Sequence, residues 1–342
     1  MIEKILLSLL CVGFLINSAN AAAAEIPKSL LLWYKFDDAK GNIVTDAAGN
    51  GYDGTLYGSE SWGQGINEGC LQLEANSYVK IPNGLLQGLN SITVSAFIRA
   101  KSADVNQWIF GFGSDDKKYL FVTARNHSGR YRGAITVGSW RSEQGVEAGA
   151  LDINQWRHIA LVINGDTNEA ILYQDGVEIY RNTNVSLVPS DLYSSNNDYT
   201  GYIGKSFYAP DPYFTGDIDD FRVYGRALNA EEILSLYHEI HHYYVENDRD
   251  SLTLGDISTV VDDLTLPTKG EYGSTISWKS GDESIVGSDG RVTRPIEGEK
   301  DAVVTLTAVL SLGKITHTKE FHATVLEDNL KNNLAAAAGN LS

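Results

Sequence analysis

Residues 238–242 read His238-Glu239-Ile240-His241-His242 and contain the spacing H-E-x-x-H. On a helix, two histidines four apart share a face and can grip Zn²⁺, with the glutamate between them as the base of a hydrolase. A catalytic zinc needs a third protein ligand. Where an extended motif of this kind places glycine and histidine, the chain has Val245 and Asp248. The plainer reading is a helix end whose imidazoles sit near the negative C-terminus. A second acidic run is Asp217-Ile218-Asp219-Asp220-Phe221. Glycoside hydrolysis uses carboxylates as nucleophile and acid, and three at alternate positions of one strand would share a face. Asp217 and Asp219 alternate, but Phe221 takes the third position. Each enzyme-like motif lacks its third group, so the chain is expected to bind rather than to catalyse.

Binding chemistry has two candidates. Asp37 and Asp38 follow the first apolar run, and Asp219 and Asp220 lie in the last one of the same β region. If those strands lie side by side, the four carboxylates offer hard oxygen ligands for a structural Ca²⁺. The alternative is aspartates at strand ends that cap turn amides or face solvent. Sugar recognition needs aromatic faces with polar groups beside them. Trp140-Arg141 lies among Gly138, Ser139 and Ser142 with no apolar periodicity. Tyr208 and Tyr213 flank the rigid Ala209-Pro210-Asp211-Pro212, and Tyr131 lies in polar, glycine-containing surroundings. These five, Trp140, Arg141, Tyr208, Tyr213 and Tyr131, are the candidate carbohydrate-binding residues. Trp33, Trp156, Trp278 and His158 sit within apolar patterns and are expected in the core.

The elements that must position these groups read as strands. Short apolar stretches alternate with turn dipeptides such as Asn50-Gly51, Asp53-Gly54 and Asn83-Gly84. Residues 171–180, with Asp175-Gly176 at their centre, are a strong hairpin signal. One helix stands out after the cap Asn229, with Glu231 and Glu232 in its first turn and Ile233, Leu236 and Tyr237 on one face. Residues 246–250 are polar and read as a linker into a second β unit, and Cys70 in its alternating strand reads as a small buried thiol. The fold class is all-β: a jelly-roll sandwich and a smaller immunoglobulin-like sandwich.

Of the 342 residues, 44 are acidic and 27 basic, a net charge of −17. Such a surface repels phosphate backbones and anionic lipid, so neither nucleic acid nor a membrane is an expected partner. The N-terminus has a basic Lys4, an apolar run from Ile5 to Ile16 too short to span a bilayer, and Ala19-Asn20-Ala21, an A-x-A cleavage signal. Residues 1–21 therefore read as a signal peptide, and the mature chain as secreted, periplasmic or cell-surface.

Residues 27–238 resemble a laminin-G-like, concanavalin-type jelly roll of bacterial polysaccharide-degrading proteins. The resemblance rests on Trp33-Tyr34-Lys35-Phe36-Asp37, residues 46–55, Asn154-Gln155-Trp156-Arg157-His158 and Tyr173-Gln174-Asp175-Gly176. Its most diagnostic part is residues 216–224 followed by Arg226-Ala227-Leu228. Residues 248–326 resemble the atrophied immunoglobulin-like module of bacterial glycosidases, through Leu264-Thr265-Leu266-Pro267, Ile276-Ser277-Trp278 and Asp289-Gly290-Arg291-Val292. Residues 327–342 form a tail that could open a further, truncated module. The resemblance implies a secreted carbohydrate-binding accessory protein of arabinan or xylan breakdown, whose partners are plant cell-wall glycan and the catalytic glycosidase domain of a longer parent chain. It leaves open a structural spacer within such a glycosidase.

Overall fold

The computed structural model describes residues 29–329 apart from 67, 75, 194–198 and 314. The residues read as a signal peptide and the tail's last residues lie outside that range. Two eight-stranded antiparallel sheets face each other and a separate three-stranded sheet follows. In spatial order the first sheet runs Val177–Asn182, Glu169–Gln174, Arg157–Asn164, Ser91–Ala100, Gly216–Tyr224, Gly69–Leu73 and Trp62–Gln64, with Leu30–Tyr34 also paired to Gly216–Tyr224. The second runs Gln144–Ala148, Tyr131–Thr136, Tyr119–Thr123, Trp108–Gly113, Thr200–Ile203, Tyr78–Ile81, Gly54–Tyr57 and Ile43–Val44. As the sequence suggested, the first and last strands of the sandwich lie side by side, Tyr34 opposite Phe221.

Strand alternation builds the core between the sheets. Val94, Ile98, Ile159, Leu161, Leu172, Ile218 and Phe221 from the first sheet meet Val79, Ile81, Phe110, Phe112, Leu120, Val122 and Ile203 from the second. Burying this apolar surface is the main stabilising term. The hairpin at Asp175-Gly176 forms as read, with φ of 51° and 76° at the two residues, the left-handed pair a two-residue turn requires. Cys70 is buried, and burial, then Asp217 and Asp219, push its thiol up to about 12.

The strand Gly216–Tyr224 carries a β-bulge. Asp219 pairs with Phe97 and Arg222 with Ser95, so the strand holds one residue more than its partner, and Asp220 adopts φ 52°. The bulge keeps Asp220 out of the core and turns Phe221 into it. Phe221 is therefore on the face opposite Asp217 and Asp219, and the alternate-carboxylate arrangement is interrupted in space as well as in sequence.

The helix runs without a break from Ala230 to Ser251, 22 residues, about 33 Å at 1.5 Å per residue. Asn229 and Glu232 form a reciprocal capping box at its start. Residues 246–250 are thus helical rather than a linker. Ile233 and Leu236 pack on the outer face of the first sheet, against Val162, Ile171 and Tyr173. Val245, further along the same helix, joins Leu252, Trp278, Leu306 and Val325 in the core of the second unit. That unit's sheet is Thr275–Ser280, Ala302–Leu312 and Ile315–Val325. Asp248, 1% exposed, accepts hydrogen bonds from the Tyr272 and Ser274 backbone amides at 2.8 and 3.0 Å. Lys319 Nζ donates to the carbonyls of Arg249 and Leu252 at the helix C-terminus, both at 2.8 Å. Among the described residues no helix is long and apolar enough to cross a membrane.

Candidate functional site

The outer face of the second sheet carries an aromatic cluster. Trp108, Phe121 and Tyr119 project from neighbouring strands, away from the inter-sheet core, with Phe207 and Tyr208 packed against them. Trp108 and Phe121 stack at 4.3 Å between centroids and an interplanar angle of 20°. Gly111 makes room for this arrangement: a Cβ there would stand 2.8 Å from Trp108 Cε3. Over this floor opens a cleft of about 570 Å³, whose lining includes Asn106, Asn126, His127, Trp140, Glu143 and Asp211.

The wall of the cleft is charged and tightly bonded. Arg132 reaches Glu143 at 2.9 Å and Glu147 at 3.2 Å, from the strand beside Gln144–Ala148. Asn126 Nδ2 donates to Glu147 at 3.2 Å. Tyr119 donates its hydroxyl hydrogen to Glu143 at 2.7 Å and lies 3.1 Å from the Tyr208 hydroxyl. Burial, then the bonds to Tyr208 and Glu143, raise the Tyr119 phenol, so it stays a neutral donor. Asp211, opposite this wall, is raised by burial, with an opposing hydrogen bond from Ser206 at 2.7 Å. Donors and acceptors thus stand beside aromatic faces, as a polyhydroxylated ligand requires.

Trp140 stands at the mouth and is 61% exposed. The preceding Ser139 adopts φ 71°, ψ −180°, a conformation close to glycine-only that costs of order 1–3 kcal/mol. Three bonds hold it: its amide donates to the Lys117 carbonyl at 3.0 Å, and its carbonyl accepts from Thr136 Oγ1 at 2.9 Å and from the Ser142 amide at 3.0 Å. The strain presents an indole to solvent. The Arg141 guanidinium lies 5.0 Å from that ring's centre.

Of the five candidates from sequence, Trp140 and Tyr208 line the cleft and Arg141 flanks it. Tyr213 lies elsewhere, 5.9 Å from the ring of Tyr78. Tyr131 is a correction. It is fully buried and its hydroxyl donates to the Tyr173 carbonyl, because as the first residue of its strand it faces inward. Trp108, Phe121, Arg132, Glu143 and Glu147 were missing from the sequence reading.

Each of the four aspartates has a partner within the protein. Asp37 accepts from the Gly69 amide at 2.8 Å and Asp219 from the Ile66 amide at 2.8 Å, which is the turn-capping alternative. Asp38 is hydrogen-bonded to Thr45. Asp220 pairs with Arg222 and accepts from the Trp33 indole. The histidines of 238–242 also diverge: His238 faces His241 at 3.4 Å, and His242 faces His317 at 3.2 Å. Glu239 is bound to Arg222 at 2.7 Å. Among the described residues no three His, Cys, Asp or Glu side chains are grouped to hold a metal ion.

The two-sheet antiparallel sandwich and the smaller sheet that follows each match a known family. Residues 73–234 match the concanavalin A-like lectin/glucanases superfamily and residues 245–328 the atrophied bacterial Ig domain. The chain therefore carries a concanavalin A-like domain followed by an immunoglobulin-like one. A relative, the alpha-L-arabinofuranosidase of Bifidobacterium longum subsp. longum, is 28% identical over 316 residues, which cover 86% of this chain but only 28% of that protein. A solved structure with the same fold is domain 4 of AbnA, a GH43 extracellular arabinanase from Geobacillus stearothermophilus, in complex with arabinotriose. It has 21% identity and a TM-score of 0.52, covering 61% of this chain and 98% of that one.

Proposed function

We propose that this protein is an exported accessory protein of polysaccharide breakdown that binds an arabinose-containing glycan in the cleft beneath Trp140. The observation that carries the reading is the pairing of an exposed indole, held out by a strained backbone, with an aromatic floor and a hydrogen-bonding wall. The arabinotriose complex of the similarly folded arabinanase domain supports arabinose as the sugar, and the signal-like N-terminus supports export. The continuous helix favours a second, compatible role, that of holding the sugar-binding domain at a fixed distance from a catalytic glycosidase partner.

Affinity gel electrophoresis against arabinan and xylan tests the binding. Arabinan is expected to retard the wild-type protein, and Trp140→Ala to remove most of that retardation. A wild-type protein that no glycan retards would leave only the spacer role.

A further inference from the structure

We propose that the glycan site continues past the cleft along a row of tyrosines on the same sheet face, so that the protein holds several consecutive sugars of an arabinan chain rather than one terminal sugar. This rests on the cleft reading above.

The row follows from strand register. Gly111 faces Phe121 on one side and Tyr202 on the other, and Tyr202 in turn faces Lys80. Tyr57 and Tyr78 face each other on the next pair of strands. Val79, Ile81 and Ile203 point into the core, so by strand alternation these tyrosines point outward. The rings connect the two ends without interruption. Phe207 lies 6.1 Å from Trp108 and 5.2 Å from Tyr202, and Tyr78 lies 5.6 Å from Tyr202 and 5.0 Å from Tyr57. From Phe121 to Tyr57 the band crosses five strands, roughly 19 Å at the usual strand spacing. That is long enough for several linked sugars.

The chemistry of the band fits a glycan. Beyond Phe207 the rings of the band are all tyrosines, with Lys80 facing Tyr202, so each ring face there comes with a polar tip. Tyr57, 43% exposed, offers an open face at the far end. Lys205 Nζ lies over the rings of Tyr78 and Tyr202 at 4.5 and 4.8 Å, so a sugar hydroxyl there meets an ammonium donor. An apolar protein partner would find few aliphatic groups to bury.

Calorimetric titration of the full chain with arabinotriose and with arabinohexaose tests the extension. The hexaose is expected to bind about tenfold more tightly than the triose. Tyr57→Ala and Tyr78→Ala should each remove about five- to tenfold of hexaose affinity and leave triose affinity unchanged, which also shows that the variants fold. Tyr57→Phe should retain the gain, and Trp140→Ala should weaken both ligands. Equal affinity for the two lengths, or tyrosine variants that bind hexaose like wild type, would overturn the extension and leave the cleft standing. Absence of binding at either length would overturn both.

Discussion

The two outer faces of the sandwich make an instructive pair. Both are apolar enough to be buried. The outer face of the first sheet presents Ala160, Val162, Ile171, Tyr173 and Tyr224, and the helix covers it with Ile233 and Leu236. Arg222 on that face is neutralised between Asp220 and Glu239. The outer face of the second sheet presents Trp108, Tyr119, Phe121 and Ala134, and over it lie Phe207 and Tyr208 of a loop and the mouth residue Trp140 rather than the helix. Where a helix supplies the missing layer, apolar outward residues become core. Where none does, they become the floor of a cleft. The H-E-x-x-H segment belongs to the covered face, and its groups are used in joining elements.

The contrast can be broken most directly on the covered side. Ile233→Ala removes a fully buried anchor of the helix and is expected to cost about 3 kcal/mol, read by chemical denaturation, while the protein that remains folded keeps its arabinan affinity. Loss of affinity without loss of stability would show that the two faces are not independent.

The covered face should also carry a pH dependence. His158 lies between Phe97, at 4.9 Å, and Tyr237 of the helix, at 6.0 Å. Neither ring nitrogen has a hydrogen-bond partner among the described residues, so this core histidine is buried without being satisfied. Burial, and then Arg222, push it down to about 3. Its unfolded value is near 6.5, so between those values only the unfolded chain takes up the proton. The stability linked to this group is complete above about pH 6.5 and falls towards pH 3, with a slope approaching 1.4 kcal/mol per pH unit. At pH 5 the loss is roughly 2 kcal/mol. Denaturation curves at pH 7 and pH 5 should show it in wild type and not in His158→Gln. An unchanged slope in the variant would assign the acid sensitivity to other groups.

Much of this was legible from residue types, and the failures have physical causes. Asp175-Gly176 and the Asn229 cap act through local geometry, so they read correctly. The helical nature of 246–250 did not, because the buried residue at its centre is Asp248, whose partners Tyr272 and Ser274 are distant in sequence. Trp140 and Tyr208 were legible because loop aromatics without periodicity have no strand to join. Tyr131 misled because polar neighbours say nothing about which way a strand's first residue points. Trp108 and Phe121 were missed because a strand apolar on both faces reads as wholly interior. The signal available was the run from Tyr119 to Thr123, in which aromatics alternate with aliphatics. The absence of a helix over it among the described residues, a tertiary fact, turns the aromatic side into the floor of a cleft.

On the open face, Gly111→Ala places a methyl 2.8 Å from Trp108 Cε3. The indole must lift from the sheet, at a cost of about 1–2 kcal/mol, and the floor of the cleft changes shape. Stability measured by denaturation should fall by that amount, and arabinan retardation should weaken with it. Retardation equal to that of wild type would mean that the ligand does not use the floor.

The smallest stability effect is expected at Trp140 itself. Its ring is 61% exposed and no core cluster contains it. Its backbone amide lies 3.3 Å from the Tyr208 hydroxyl, a contact that any side chain preserves. Trp140→Ala should therefore change stability by less than about 0.5 kcal/mol, although it is the substitution expected to weaken the proposed sugar binding most. A buried aromatic would behave in the opposite way, with truncation costing about 3–5 kcal/mol. Thermal denaturation of the variant distinguishes the two. A large fall in midpoint would show that the indole braces the loop between the Tyr131–Thr136 and Gln144–Ala148 strands, and the strained Ser139 would then serve the fold rather than the ligand.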